Sequence, residues 1–473
     1  MKSFVKYLAV FLAIMMLLMA VGCGSAQKEN GQEDQTDKEA PSQGDSQEQQ
    51  EEEEPAEEEP VYDFGGRVIK YSAWWDPKPQ EGSSEGADRF LERVAELEQK
   101  YNFTLEYLNI PSDVYLEQYV SSNLAGDPMA DIVYMANFNF YPGLYMNGFC
   151  LPLSDFEAFD FTEEKWDPIT RDSTTFNGKV YGAYPGKFFP RAGIFWNKTI
   201  FDREGLPNLY ELQRNYQWTW DKMLEIAKKA TKDLDGDGII DQWGLGGSQT
   251  EWSFVFSNDA YVIDTSGEIP RFALGDPNAI EALQAFQDFV FLHKVYEVPP
   301  AGSAWDYPMQ QFQDGKYAML CYQWWITDRY REGMADDYGF VFFPMGPKAK
   351  DYIAEAGENN FIVFPSALKK PEEVAIVYDA MTDPYEGEDP EAWKEDHYNR
   401  ARDKETVDET ITMMLEGRIR LNALRGFTEL QNIMWGYASP IISGEKTPTV
   451  RYEEMAAQAQ ALIEDALGAS ISQ

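Results

Sequence analysis

The sequence predicts α/β domains built on largely parallel sheets, and three observations carry that prediction. Short β-rich runs alternate with amphipathic helical stretches over about 400 residues. The chain of 473 residues is long enough for two or three domains at roughly 100–200 residues each. No internal repeat points to a solenoid instead. Taken in order, the strand candidates are Arg67–Ser72, Asp131–Met135, Ile194–Lys198, Tyr317–Tyr322, Gly339–Met345 and Phe361–Pro365. Between them, Ala87–Tyr101 puts Phe90, Leu91, Val94 and Leu97 on one helical face. Trp220–Thr231 follows Thr219, whose hydroxyl suits an N-cap. Ala279–Lys294 and Tyr452–Leu467 read as helices as well, and Pro371 opens one through Met381, since a first-turn proline forfeits no hydrogen bond.

Composition narrows the function. There are 81 acidic against 40 basic side chains, a net charge of -41, with only two histidines and three cysteines. Polyanions need a basic field, so nucleic acid is excluded as a partner. Multi-histidine metal sites, zinc fingers and a disulfide scaffold lack the residues to build them. The aromatic share, 15%, is the other prominent feature.

The charge is uneven. Lys2 and Lys6 precede an uncharged apolar run, Leu8 to Val21, shorter than the roughly 20 residues that span a bilayer. Residues 1–22 therefore read as a signal peptide. The run ends in Ala20-Val21-Gly22-Cys23, which resembles the bacterial lipobox, so Cys23 is the expected lipidation site, at the outer face of the cytoplasmic membrane. Two acyl chains suffice for stable anchoring. Residues 24–60 carry 14 acids against Lys28 and Lys38 and almost nothing apolar, which predicts a disordered tether. Residues 61–473 keep a net charge of -31.

Further on, a series of short motifs carries a likeness. Gly178-Lys179-Val180-Tyr181-Gly182-Ala183-Tyr184-Pro185 precedes Ile194–Lys198, Phe201 and Gly205-Leu206-Pro207. Trp218-Thr219-Trp220-Asp221 follows, then Phe312-Gln313-Asp314-Gly315-Lys316-Tyr317-Ala318-Met319, Trp324-Trp325 and Ile442-Ser443-Gly444-Glu445-Lys446-Thr447-Pro448. In this order, over roughly residues 65–467, the chain resembles the extracellular solute-binding proteins of family 1, the sugar-capturing lipoproteins of bacterial ABC importers related to maltose-binding protein. It departs in being longer and more aromatic, with Arg191 near a position where the relative has an acid.

The resemblance implies an α/β, two-lobed, type II periplasmic-binding-protein-like fold. Each lobe is a sheet flanked by helices, with the ligand cleft between lobes. Residues 61–190 with about 345–395 would form lobe I, and 191–344 with about 396–473 lobe II. The crossings would lie near Phe188–Phe195 and Phe342–Pro347. The implied partners are a small carbohydrate and the transmembrane permease subunits, with no catalysis and a monomeric chain.

Open α/β sheets bind ligands at the carboxyl ends of their strands. Trp74, Trp75 and Asp76 follow the first strand, and Asn137, Phe138 and Asn139 follow the strand at 131–135. Phe189 and Arg191 lie at the first crossing, Trp252 in a Gly/Ser-containing loop, and Trp324 and Trp325 after the strand ending near Tyr322. Flat rings cover the C–H face of a sugar, while Asp, Asn and Arg serve its hydroxyl rim. Neighbouring residues alternate faces, so one tryptophan of each pair is expected in the core and the other in the cleft.

Asp233-Leu234-Asp235-Gly236-Asp237-Gly238-Ile239-Ile240-Asp241 has the spacing of an EF-hand-type calcium loop. Asp233, Asp235, Asp237 and Asp241 would supply carboxylates and Ile239 its carbonyl to a structural Ca2+. Position twelve is Gly244 rather than glutamate, so the expected extra ligand is an acid from elsewhere, such as Glu251. Other functions stay open. A secreted glycan-active hydrolase needs only two carboxylates, and a peptide or other solute could replace the sugar. Against catalysis, no Gly-x-Ser-x-Gly, Walker or His-Glu-x-x-His motif occurs. Cys150 and Cys321 read as buried thiols, and His293 and His397 as surface residues.

Overall fold

A computed structural model describes residues 62–188, 191–267, 269–356 and 359–468. The signal segment, Cys23, the acidic stretch to Pro60, and Phe189 lie outside the described residues. No described helix is long and apolar enough to cross a membrane.

Two sheets organise the chain. In the first, strands Phe103–Asn109, Arg67–Ala73, Ile132–Ala136, Asn360–Pro365 and Cys150–Leu151 stand side by side in that order. The first three run parallel, and the last two each run against their neighbour. Side chains alternate between its faces, as strand geometry requires. Ile132, Ile362 and Phe364 enter one core, while Val133, Met135, Phe361 and Val363 enter the core on the other side. Both faces are covered, which is why these strands read as unbroken apolar runs.

Helices Glu85–Tyr101 and Pro371–Met381 pack together on the first face. The former starts where Ser84 Oγ accepts from Ala87 N at 3.1 Å and stops at Asn102, whose φ of 54° breaks the helical path. Strand Phe103–Asn109 follows at once.

The second sheet orders Tyr338–Val341, Ala192–Asn197, Met319–Gln323 and Gly246–Gly247. Two of its pairings are antiparallel, so the expectation of largely parallel sheets does not hold here. Strand direction depends on how the chain returns, which a local hydrophobic pattern does not encode. Gly193 is required by this packing: a Cβ there would sit 2.5 Å from the Phe340 ring and 2.6 Å from the Val341 carbonyl.

A large core surrounds this sheet and draws on residues from Ile194 to Ala356 and again from Ala401 to Leu467. Phe342, Phe343, Tyr352, Ala354 and Ala356 all belong to it. Strand Ala354–Ala356 pairs with Ile419–Leu421, and the chain rejoins the first sheet only at Asn360. The return expected near Phe342–Pro347 thus falls after Ala356, and 345–356 stays with the second core. His397, expected at the surface, is instead buried, and its Nδ1 accepts from Trp324 Nε1 at 3.2 Å.

Candidate functional site

Strand Met319–Gln323 delivers the Trp324-Trp325 pair, and the two rings part company. Trp324 is fully buried, parallel to Phe195 at 6.2 Å. Trp325 is 42% exposed, set across the Tyr322 ring at 6.0 Å, and lines a cavity of about 370 Å³. Trp252 forms another wall. It lies not in a loop but on helix Thr250–Ser257 and is almost wholly buried. Gly247, just before that helix, is forced by close packing, since a Cβ would meet the Cys321 carbonyl at 2.8 Å.

Two further tryptophans reach the same cavity. Trp305 and Trp435 are 73% and 79% exposed, values that leave most of each ring facing solvent. Neither was anticipated. Trp305 sits in the Ala301-Gly302-Ser303-Ala304 stretch and Trp435 directly after helix Thr428–Met434. Isolated aromatic residues beside glycine and serine were the available signal.

The polar lining comes from distant segments: Gln249, Gln323, Glu355, Asn422, Arg425 and Gln431. Gln249 holds a φ of 55°, a left-handed conformation costly for a non-glycine residue and typical of functional sites. Glu355 is buried, and Asn422 Nδ2 donates to its Oε1 at 3.2 Å. Burial pushes its carboxyl up to about 7, against the pull of Asn422, Arg191 and Arg425. A contiguous cavity of about 170 Å³ shares Trp252, Trp435, Gln249 and Gln431 and adds Glu251. Burial raises Glu251 to about 7 too.

The remaining candidates lie elsewhere. Trp74 is half-buried against Tyr115 and Tyr134, and Trp75 is partly exposed with its edge on Tyr134 at 4.8 Å. Asp76 is exposed and accepts from Lys78 N at 3.1 Å. None of the three lines the Trp252 cavity. Arg191 is half-buried, its guanidinium 5.5 Å from the Phe188 ring, and favours the charged form of Glu355.

Asn137 clamps the start of the return strand, its Oδ1 accepting from Asn359 N at 2.9 Å. With Phe138 it borders a separate cavity of about 440 Å³, shared with Tyr261 and Arg420 of the second core's side. Arg425 lies 5.2 Å from the Phe138 ring, so the two cavities are neighbours. Asn139 lines neither.

In the acidic loop, carboxylate oxygens of Asp233, Asp235 and Asp237 lie within 4.8 Å of one another, all exposed. Asp233 accepts from Gly238 N at 2.8 Å and Gly236 N at 2.6 Å, and these bonds hold its carboxyl below the usual range. Asp241 Oδ2 accepts from Leu234 N at 2.7 Å, and the Ile239 side chain is exposed. Glu251 is not among these acids: it belongs to the tryptophan cavity.

The whole architecture has solved counterparts. UspC of M. tuberculosis superposes with a TM-score of 0.64 at 16% identity, covering 84% of this chain and 100% of that one. The ABC substrate-binding protein Lmo0181 from Listeria monocytogenes, solved with cycloalternan, gives 0.55 at 18% identity over 85% and 99%. UgpB from M. tuberculosis, solved with glycerophosphocholine, gives 0.56 at 16% over 85% and 99%. No curated protein sequence matches significantly. The model of the bacterial extracellular solute-binding protein family matches residues 82–384, well over half of the chain. Two sheets with separate cores, a tryptophan-lined cavity and that match together make the chain a member of the bacterial extracellular solute-binding protein family.

Proposed function

We propose that this protein is the carbohydrate receptor of an ABC importer, lipid-anchored through Cys23, which captures an oligosaccharide and hands it to the membrane permease. The observation that carries the reading is the convergence of Trp252, Trp305, Trp325 and Trp435 on one cavity with three glutamines and an asparagine on its walls. Rings stack on the C–H faces of pyranoses, and planar amides both donate to and accept from their hydroxyls. Lmo0181, solved with cycloalternan, is a structural likeness in support. Closure of the two lobes around a hinge would bury the sugar and change the surface offered to the permease.

A thermal-shift screen over neutral linear and cyclic oligosaccharides tests this. At least one series is expected to stabilise the protein by about 2.7 kcal/mol at a hundredfold excess over its Kd. The sugar should remain intact after hours of incubation. Trp435→Ala should weaken that sugar about tenfold or more without lowering the melting temperature of the free protein. A screen in which no oligosaccharide shifts melting, or one in which the sugar is cleaved, removes the reading.

We also propose a structural Ca2+ at Asp233, Asp235 and Asp237, with Asp241 and the Ile239 carbonyl, on the spacing of the loop and the proximity of the three carboxylates. Millimolar calcium added after EDTA treatment is expected to raise the melting temperature by about 2–4 °C, and Asp235→Asn to abolish that rise. An unchanged melting curve would show that the acids form only a solvated turn.

A further inference from the structure

We infer that the cavity contains a cation subsite, in which Glu251 and the rings of Trp252 and Trp435 receive a protonated amine of the ligand, so that the preferred glycan carries an amino sugar. This rests on the carbohydrate reading above and deepens it. Three observations support it.

Glu251 lines the smaller cavity together with Trp252, Trp435, Gln249 and Gln431. Among the described residues no basic side chain meets its carboxylate, and only its own backbone N–H favours the charged form. The Glu251 charge acts on Glu355, Tyr296 and Cys321, every one an acid. Arg191 and Arg425 act on Glu355 instead.

Glu251 is half-buried at the cavity wall, and a carboxylate partly withdrawn from water is favoured by a proton or a cation beside it. Glu251 keeps its proton to about 7 for want of the second. A ligand ammonium would supply what the chain does not. Indole faces attract ammonium groups and do so more strongly once water is excluded, so Trp252 and Trp435 act in the same direction. The glutamines are then left for neighbouring hydroxyls. A cavity of about 170 Å³ has room for a single sugar unit, which places the amine on one ring of a longer chain whose other rings meet Trp325 and Trp305.

The experiment compares a glucosamine tetramer, its fully N-acetylated counterpart and a plain gluco-oligosaccharide of the same length by calorimetry at pH 7. The amine is expected to bind about ten- to thirtyfold tighter than the acetylated form. Glu251→Gln should erase that preference, bringing the amine and its acetylated counterpart within twofold of each other. Glu355→Gln, which keeps Glu251, should retain most of it. Lowering the pH to 5 should shrink the preference in the wild type, because Glu251 is then protonated. Equal affinities for amine and acetamide, or a preference that survives Glu251→Gln, overturn the inference and leave the carbohydrate receptor intact. If no sugar of any kind binds, both fail together, and the screen above has already recorded that failure separately.

Discussion

Trp324→Ala is expected to lower the unfolding free energy by about 3–5 kcal/mol and to leave ligand affinity within twofold at temperatures where the variant is folded. Its ring is fully buried, lies parallel to Phe195 and tilts against Phe340 at 5.1 Å. Truncation removes those contacts, opens a cavity the sheet is too rigid to close, and strips His397 of its hydrogen-bond donor. Trp325→Ala, one residue on, should do the reverse. Its ring is partly solvent-exposed against Tyr322, so stability changes by about 0.5 kcal/mol or less while affinity falls about ten- to a hundredfold. Denaturant unfolding and calorimetry on the two variants give the check. If both variants lose stability alike, or if Trp325→Ala binds as the wild type does, Trp325 is not a wall of the ligand site.

That contrast was partly legible before any coordinates. Alternation along a strand predicts that Trp324 and Trp325 face opposite ways, and they do so from the 3-10 turn Trp324–Ile326 that follows the strand; a proline at a first helical turn was enough to mark Pro371–Met381. What local pattern omits is the partner. Strand Asn360–Pro365 has the apolar run of any buried strand, yet it runs against Ile132–Ala136 because the chain reaches it from the second core. The same blindness hid the crossing: apolar residues run on to Met345 and resume at Tyr352, and nothing in them says which core they enter.

The candidate site suffered most. Trp252, Trp325, Glu355 and Gln431 are brought together from positions far apart in sequence, so Glu355 and Asn422 carried no sign of membership, and Trp305 and Trp435 only that of rings beside glycine and serine. Trp74 and Trp75 obeyed the rule of strand ends, but that rule names a surface, not a cavity. Glu251 was misplaced for a related reason. An acid near a calcium-type loop in sequence is a plausible ligand, whereas helix Thr250–Ser257 turns it toward Trp252 and Trp435.

His397 offers the clearest pH experiment, because its surroundings contradict its local sequence. Lys394-Glu395-Asp396-His397 reads as a solvated face, but the ring is buried against Trp324 and Trp393. Burial depresses its pKa to about 4, with Asp396 pulling up and Arg400 pushing down. Since Trp324 Nε1–H donates to Nδ1, that nitrogen is the unprotonated one, and charging the ring would destroy the bond. The unfolded chain takes up its proton near the ordinary value of 6.5, the folded chain only near 4. Between those values the unfolded state holds more protons, so the contribution is complete above pH 6.5 and is lost as pH falls to 4. The loss should total about 3 kcal/mol. Glu251 and Glu355, whose pKa values are raised, drive stability the opposite way in part of this range, so the wild-type curve alone does not isolate the histidine. The difference between wild type and His397→Asn does, because both carboxyls are common to the two proteins and asparagine keeps an acceptor for Trp324 without titrating. Unfolding free energies of the pair should diverge by about 3 kcal/mol between pH 7.5 and pH 4, the wild type losing ground as acid is added. Parallel curves across that interval would mean that His397 charges in place and that its burial against Trp324 does not withhold the proton.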